Sequence, residues 1–134
     1  MTLVDTNVLI DLLSDDPVWL DWSIAALVQR SALGPLFINE VVFAELSVQM
    51  ESEAELRQSL AELNVVLART PIQALFLAGK TYARYRAAGG VRAGVLPDFF
   101  IGAHAETARW PILTRDVRRY RTYFPEVELI APDA

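Results

Sequence analysis

Five short runs of strand-forming residues, each separated from the next by a segment that reads as helix, restrict this chain more than any other feature. They are TLV (2–4), LFI (36–38), VVL (65–67), ILT (112–114) and VELI (127–130). Between them the helix signals are local and specific. One helix runs through NVLIDLL. Pro17 opens a second, VWLDWSIAALVQRSAL, which stops at Gly34-Pro35. Asn39 caps EVVFAELSVQM, and Ser52 caps EAELRQSLAEL with Glu55 as its reciprocal partner. Pro71 opens a long helix ending at Gly89-Gly90, and Pro97 starts another. Strands alternating with helices predict a mostly parallel sheet with helices on both faces, built as one domain over residues 1–134.

The chemistry open to such a chain is narrowed by what it lacks. There is no cysteine, which excludes disulfides, thiol nucleophiles and thiolate metal sites. Its one histidine, His104, lies about 240° around the helix axis from Asp98, so the two do not share a face and His104 reads as structural. Carboxylates must carry most of any chemistry. No signal pattern or membrane-length apolar run occurs, so a cytoplasmic protein without a membrane partner is expected. The hydrophobic share of 53% hints at apolar surface that a partner covers, although a well-filled core gives the same composition. Residues 1–79 carry a net charge of −8 and residues 80–134 a net charge of +3. The basic part includes Lys80, Arg84, Arg86, Arg92, Arg109, Arg115, Arg118, Arg119 and Arg121, and such clusters can grip phosphates on an acidic protein or simply face solvent.

In an open parallel sheet, ligands bind beyond the carboxyl ends of the strands. Asp5 follows the first strand and Asp116 follows ILTR, so both fall on that edge. Glu45 has apolar neighbours at Val41, Val42 and Val48, which predicts a carboxylate directed toward the packed side; Glu40 can face water instead. Asp98 opens an otherwise apolar or small helix. Taken alone, it needs no purpose beyond interacting with the helix dipole. Gly102 and Ala105, on its face, should permit close approach to the sheet. Four converging carboxylates repel one another unless a cation sits among them, and an all-oxygen donor set points to Mg²⁺ or Mn²⁺. Mg²⁺ sites are commonly completed by phosphate, which makes phosphodiester chemistry the natural assignment.

LVDTNVLI at the start, VVFAEL around Glu45, LPDFFIGAHA and ILTRD together resemble the PIN-domain ribonucleases, specifically the VapC-like toxins of bacterial type II toxin-antitoxin pairs. The resemblance spans essentially the whole chain, in order. It implies a three-layer α/β/α sandwich, Mg²⁺- or Mn²⁺-dependent RNA cleavage leaving 5′-phosphate and 3′-hydroxyl ends, homodimers, and inhibition by a cognate antitoxin whose C-terminal segment covers the site. Operator DNA is then met only through that antitoxin. By position the acids are Asp5, Glu45, Asp98 and Asp116, with Asn7 and Thr114 as supporting polar residues. Asp5 and Asp98 are the expected direct metal ligands; Glu45 and Asp116 bind directly or through water. Some relatives carry a further acid near the last motif, whereas here Val117 follows Asp116, which favours one tightly held ion.

Arg115, Arg118 and Arg119 are the candidates for positioning RNA, and Arg115 reads equally well as neutralising the acids when metal is absent. Two rival functions remain at this level. A phosphatase of the haloacid-dehalogenase type uses a second aspartate two residues after the first, where this chain has Asn7; a non-catalytic binding protein would use the acids for a basic partner. Trp19, Leu20 and Trp22 share a helix that could pack inside, dimerise or take an antitoxin helix, with at least one tryptophan expected inside.

Overall fold

The computed structural model of the chain describes residues 1–91 and 95–132. Arg92, one of the basic residues named above, lies outside these residues. β1 (Thr2–Val4) is wholly buried and forms the centre of a five-stranded parallel sheet in the order β3-β2-β1-β4-β5. Its partners are β2 (Leu36–Ile38) on one side and β4 (Ile112–Leu113) on the other. β3 (Val65–Leu67) and β5 (Leu129–Ile130) complete the two edges. Helices cover both faces, giving the α/β three-layer arrangement the alternation predicts.

Most of the helix signals act where the sequence puts them. α1 (Thr6–Leu13) is capped by Asp5, whose carboxylate accepts from the Thr6 N–H. α3 (Glu40–Ser47) is capped by Asn39 and α4 (Glu53–Glu62) by the Ser52 hydroxyl. α5 (Ile72–Ala87) follows Pro71. α6 (Leu96–Ala108) begins one residue before Pro97, so Asp98 lies in its first turn.

Three local expectations are corrected. Pro17 opens only a turn, because Asp16 accepts from the Val18 and Trp19 N–H groups first; α2 (Leu20–Leu33) starts later. α3 stops at Ser47, and Val48, expected on the packed side beside Glu45, is 84% exposed. The short helix α7 (Arg118–Tyr123) lies outside the expected elements, because its basic run masks the helical spacing of Tyr120 and Phe124. Trp22 packs against the core, as does Trp110.

The role of Gly102 also differs from expectation. A Cβ built there would lie 2.3 Å from Phe124, so the small residue admits the Phe124 ring and not the sheet. Phe124 caps the end of α7 and contacts Phe99 within an aromatic cluster that includes Tyr82, Tyr85 and Tyr123. This packing holds α7 against α6.

Gly102→Ala should therefore cost about 1–3 kcal/mol by overpacking. Gly79→Ala, on α5 with nothing within 4 Å of the added Cβ, should gain about 0.5–1 kcal/mol from helix propensity. Chemical denaturation of both variants checks the pair; equal midpoints would show that Phe124 gives way freely.

Candidate functional site

The strand order reverses between β1 and β4: the chain moves outward from β1 through β2 to β3, then crosses back to place β4 on β1's other side. Loops leaving β1 and β4 consequently diverge and open a crevice at their carboxyl ends. The register Val4↔Leu113 brings the next residue of each strand together there, namely Asp5 and Thr114.

Asp5 is only 5% exposed, and its two oxygens are held by four neighbours. Oδ1 accepts from the Thr6 N–H at 2.7 Å. Oδ2 accepts from the Thr114 hydroxyl at 2.8 Å, the Tyr120 hydroxyl at 2.9 Å and, at a long 3.4 Å, the Asn7 amide. Even so, its pKa is pushed up to about 6, first by burial, with the Thr114 hydrogen bond opposing and the charge of Asp98 adding to the rise. Burial and the charges of Asp5, Asp98 and Glu45 push the Tyr120 hydroxyl well above the ordinary tyrosine value, so it remains a donor.

Asp98 reaches the same rim from the first turn of α6. Burial raises its pKa; Arg119, whose Nη1 donates to Oδ2 at 3.0 Å, opposes this, and the charges of Asp116 and Glu45 add to it. Glu45 is half-buried, and its Oε1 accepts from the Thr6 hydroxyl at 2.6 Å. Glu40 is turned elsewhere, to Thr70. Asp116 is exposed, with Arg118 at 3.6 Å; its backbone N–H donates to the Thr114 hydroxyl. The four acids thus sense one another at one rim, although Glu45's side chain is oriented by Thr6 and not by the valines that singled it out.

Among the described residues, no three histidine, aspartate or glutamate side chains are arranged to hold a metal ion. The donor set still fits a hard cation by atom type and by charge: all are carboxylate oxygens, and the acids' charges raise the pKa values of Asp5 and Asp98.

Arg115 does not neutralise the acids of the rim; its partner is Asp11. Its guanidinium forms two hydrogen bonds to buried Asp11, at 2.7 and 2.9 Å, and lies 5.0 Å over the Trp19 ring. Asp11 is one turn beyond Asn7, whose Oδ1 accepts from the Arg115 N–H; α1 therefore clamps the loop after β4 through one face. The cation bonded to Asp98 is Arg119, and it, Tyr120 and Thr6 are the residues that motif reading underrated. A helical reading of RRYRTY, with Tyr120 and Phe124 four apart, was the available signal. His104 is buried with Nδ1 3.3 Å from the Asn39 amide and its ring near Trp110, away from the rim.

A family model described as PIN domain matches residues 2–125. The chain belongs to the PIN-domain family. No curated protein matches it. Among solved structures, a chain of VapBC2 from Rickettsia felis bound to a DNA fragment from its promoter superposes with a TM-score of 0.75, at 16% identity over 98% of both chains. VapBC-1 from nontypeable Haemophilus influenzae gives 0.72 at 16% identity, over 97% of this PIN domain and 96% of that chain. FitAcB from Neisseria gonorrhoeae gives 0.68 at 19% identity, with the same coverages of 97% and 96%. At these identities the likeness is one of fold.

The raised pKa of Asp5 has a stability consequence for this PIN domain without divalent ions. The folded state holds the proton more tightly than the unfolded chain, so the group's stabilising effect is full below about pH 4 and lost as pH rises through about 6. The loss amounts to about 3 kcal/mol. In EDTA, Asp5→Asn should flatten the dependence of Tm on pH between 4 and 6.5 and melt above wild type at pH 7.5. A variant melting below wild type at pH 7.5 would show that the carboxylate is net stabilising there.

Proposed function

We propose that this PIN domain is a metal-dependent endoribonuclease acting as the cytoplasmic toxin of a toxin-antitoxin pair. PIN domains are nucleases that generally use divalent metal ions. The observation that carries the reading is the gathering of Asp5, Glu45, Asp98 and Asp116 at the β1/β4 crevice, with charges that work against one another.

Asp5 and Asp98 would hold one Mg²⁺ or Mn²⁺ directly, with Glu45 and Asp116 bound directly or through water. Such an ion supplies Lewis acidity, lowering the pKa of a water and offsetting charge on the phosphoryl oxygen. The chain's own part is positional. Thr6, Thr114 and Tyr120 fix the Asp5 oxygens, and the Thr6 hydroxyl fixes Glu45 Oε1. Since His104 is packed away from the rim, a carboxylate of the site or solvent receives the proton. Arg118, exposed beside Asp116, would contact the RNA backbone; Arg115, bound to Asp11, would not.

The antitoxin partner is proposed because the structural neighbours are named as VapBC and FitAcB proteins; the homodimer rests on the family resemblance. Promoter DNA, present in the Rickettsia felis structure, would reach this chain only through the antitoxin.

Asp98→Asn should lower RNA cleavage more than about 100-fold, beyond what removing a group behind the ligands costs, with the melting profile retained. EDTA should stop wild-type cleavage, and Mg²⁺ or Mn²⁺ restore it. A fully active Asp98→Asn protein would remove that residue from the mechanism. Co-expression with any short reading frame that adjoins this chain's gene should yield a stable complex; recovery of the free chain alone would argue against the antitoxin.

A further inference from the structure

Three arginine–carboxylate pairs near the crevice differ in how easily water can break them. Arg115 and Asp11 form a two-pronged pair in which Asp11 is 1% exposed and also accepts from Ser23. That pair is a fixed strut. Arg118 and Asp116 stand 3.6 Å apart, largely in solvent, where an ion pair contributes little. Arg119 and Asp98 lie between these extremes, 3.0 Å apart with both side chains 30% exposed.

The backbone beneath Arg119 is anchored. Tyr120 is buried with its hydroxyl on Asp5, and Phe124 packs over Gly102. Only the Arg119 side chain is therefore free to change partners, and its guanidinium already has a second contact, the Tyr85 ring at 5.6 Å. A divalent ion on Asp98 would place two cationic groups on one carboxylate, where they repel each other.

Resting on the metal-site reading above, we infer that Arg119 is the resident counter-ion of the acidic rim, a positioning residue that competes with the divalent ion for Asp98 and yields it when the ion binds. The pair sets the metal affinity of the RNA-free protein. It also shields the crowded acids when metal is scarce.

The test measures Mn²⁺ binding to RNA-free protein by the EPR signal of free Mn²⁺, for wild type, Arg119→Gln, Arg119→Lys and Asp98→Asn. Arg119→Gln should bind Mn²⁺ at least about threefold tighter, the scale set by losing a partly exposed ion pair. Arg119→Lys, which keeps the charge, should stay near wild type, and Asp98→Asn should bind weakly. In ¹⁵N spectra the Arg119 Nε–H resonance should shift as Mg²⁺ is added to wild type. Equal or weaker Mn²⁺ binding by Arg119→Gln melting like wild type, or an Nε–H resonance unmoved at saturating Mg²⁺, would overturn the counter-ion role alone. Failure of wild type itself to bind Mn²⁺ would overturn the metal site and this inference with it.

Discussion

A buried carboxylate at the end of the central strand is the constraint around which this molecule is organised. Removing an ionised aspartate from water costs several kcal/mol unless hydrogen bonds replace the lost hydration. For Asp5 those bonds come from the adjacent Thr6 and from Thr114 after β4 and Tyr120 on α7, which lie 109 and 115 positions away in the chain. The hydroxyls can reach it only when β4 has paired with β1 and α7 has docked. Folding the sheet and assembling the rim are therefore one event.

The acids gathered around Asp5 create the second demand, for positive charge, and the two half-buried arginines meet different parts of it. Arg115 neutralises Asp11 within the packed side of α1 and ties the loop after β4 to that helix. Arg119 neutralises Asp98 at the mouth. They are four residues apart in sequence, but Arg115 leaves the turn after β4 and Arg119 the first turn of α7. One serves the scaffold, while the other stands where a cation would.

How much of this was legible in the sequence depended on whether the signal was local. The parallel order, the caps at Asn39 and Ser52 and the places of Asp5 and Asp98 could be read because a strand end, a cap or a proline fixes them within a few residues. Glu45, preferred over Glu40 for its apolar neighbours, does face the other acids while Glu40 turns to Thr70, but not for that reason: Val48 is in solvent, and a hydroxyl 39 positions away orients the carboxylate. Gly102 was read as small for the sheet when it is small for Phe124. Arg115 was assigned by nearness in sequence to Asp116, whereas its partner is set by the approach of α1. Each of these errors concerns a long-range contact that periodicity does not encode.

α7 shows why such contacts carry so much of the site. Six residues cannot sustain a helix by propensity, because nucleation costs more than one turn of hydrogen bonds returns. The helix persists because Tyr120 and Phe124, one turn apart, sink into the core and against α6, and that inward stripe leaves the neighbouring Arg119 facing Asp98. A side chain buried for packing thus aims a charged one at the rim. The basic residues of RRYRTY read as a solvated run only while the aromatics are ignored; taken with them, the segment is the piece that closes the fold over Asp5 and aims Arg119 at Asp98.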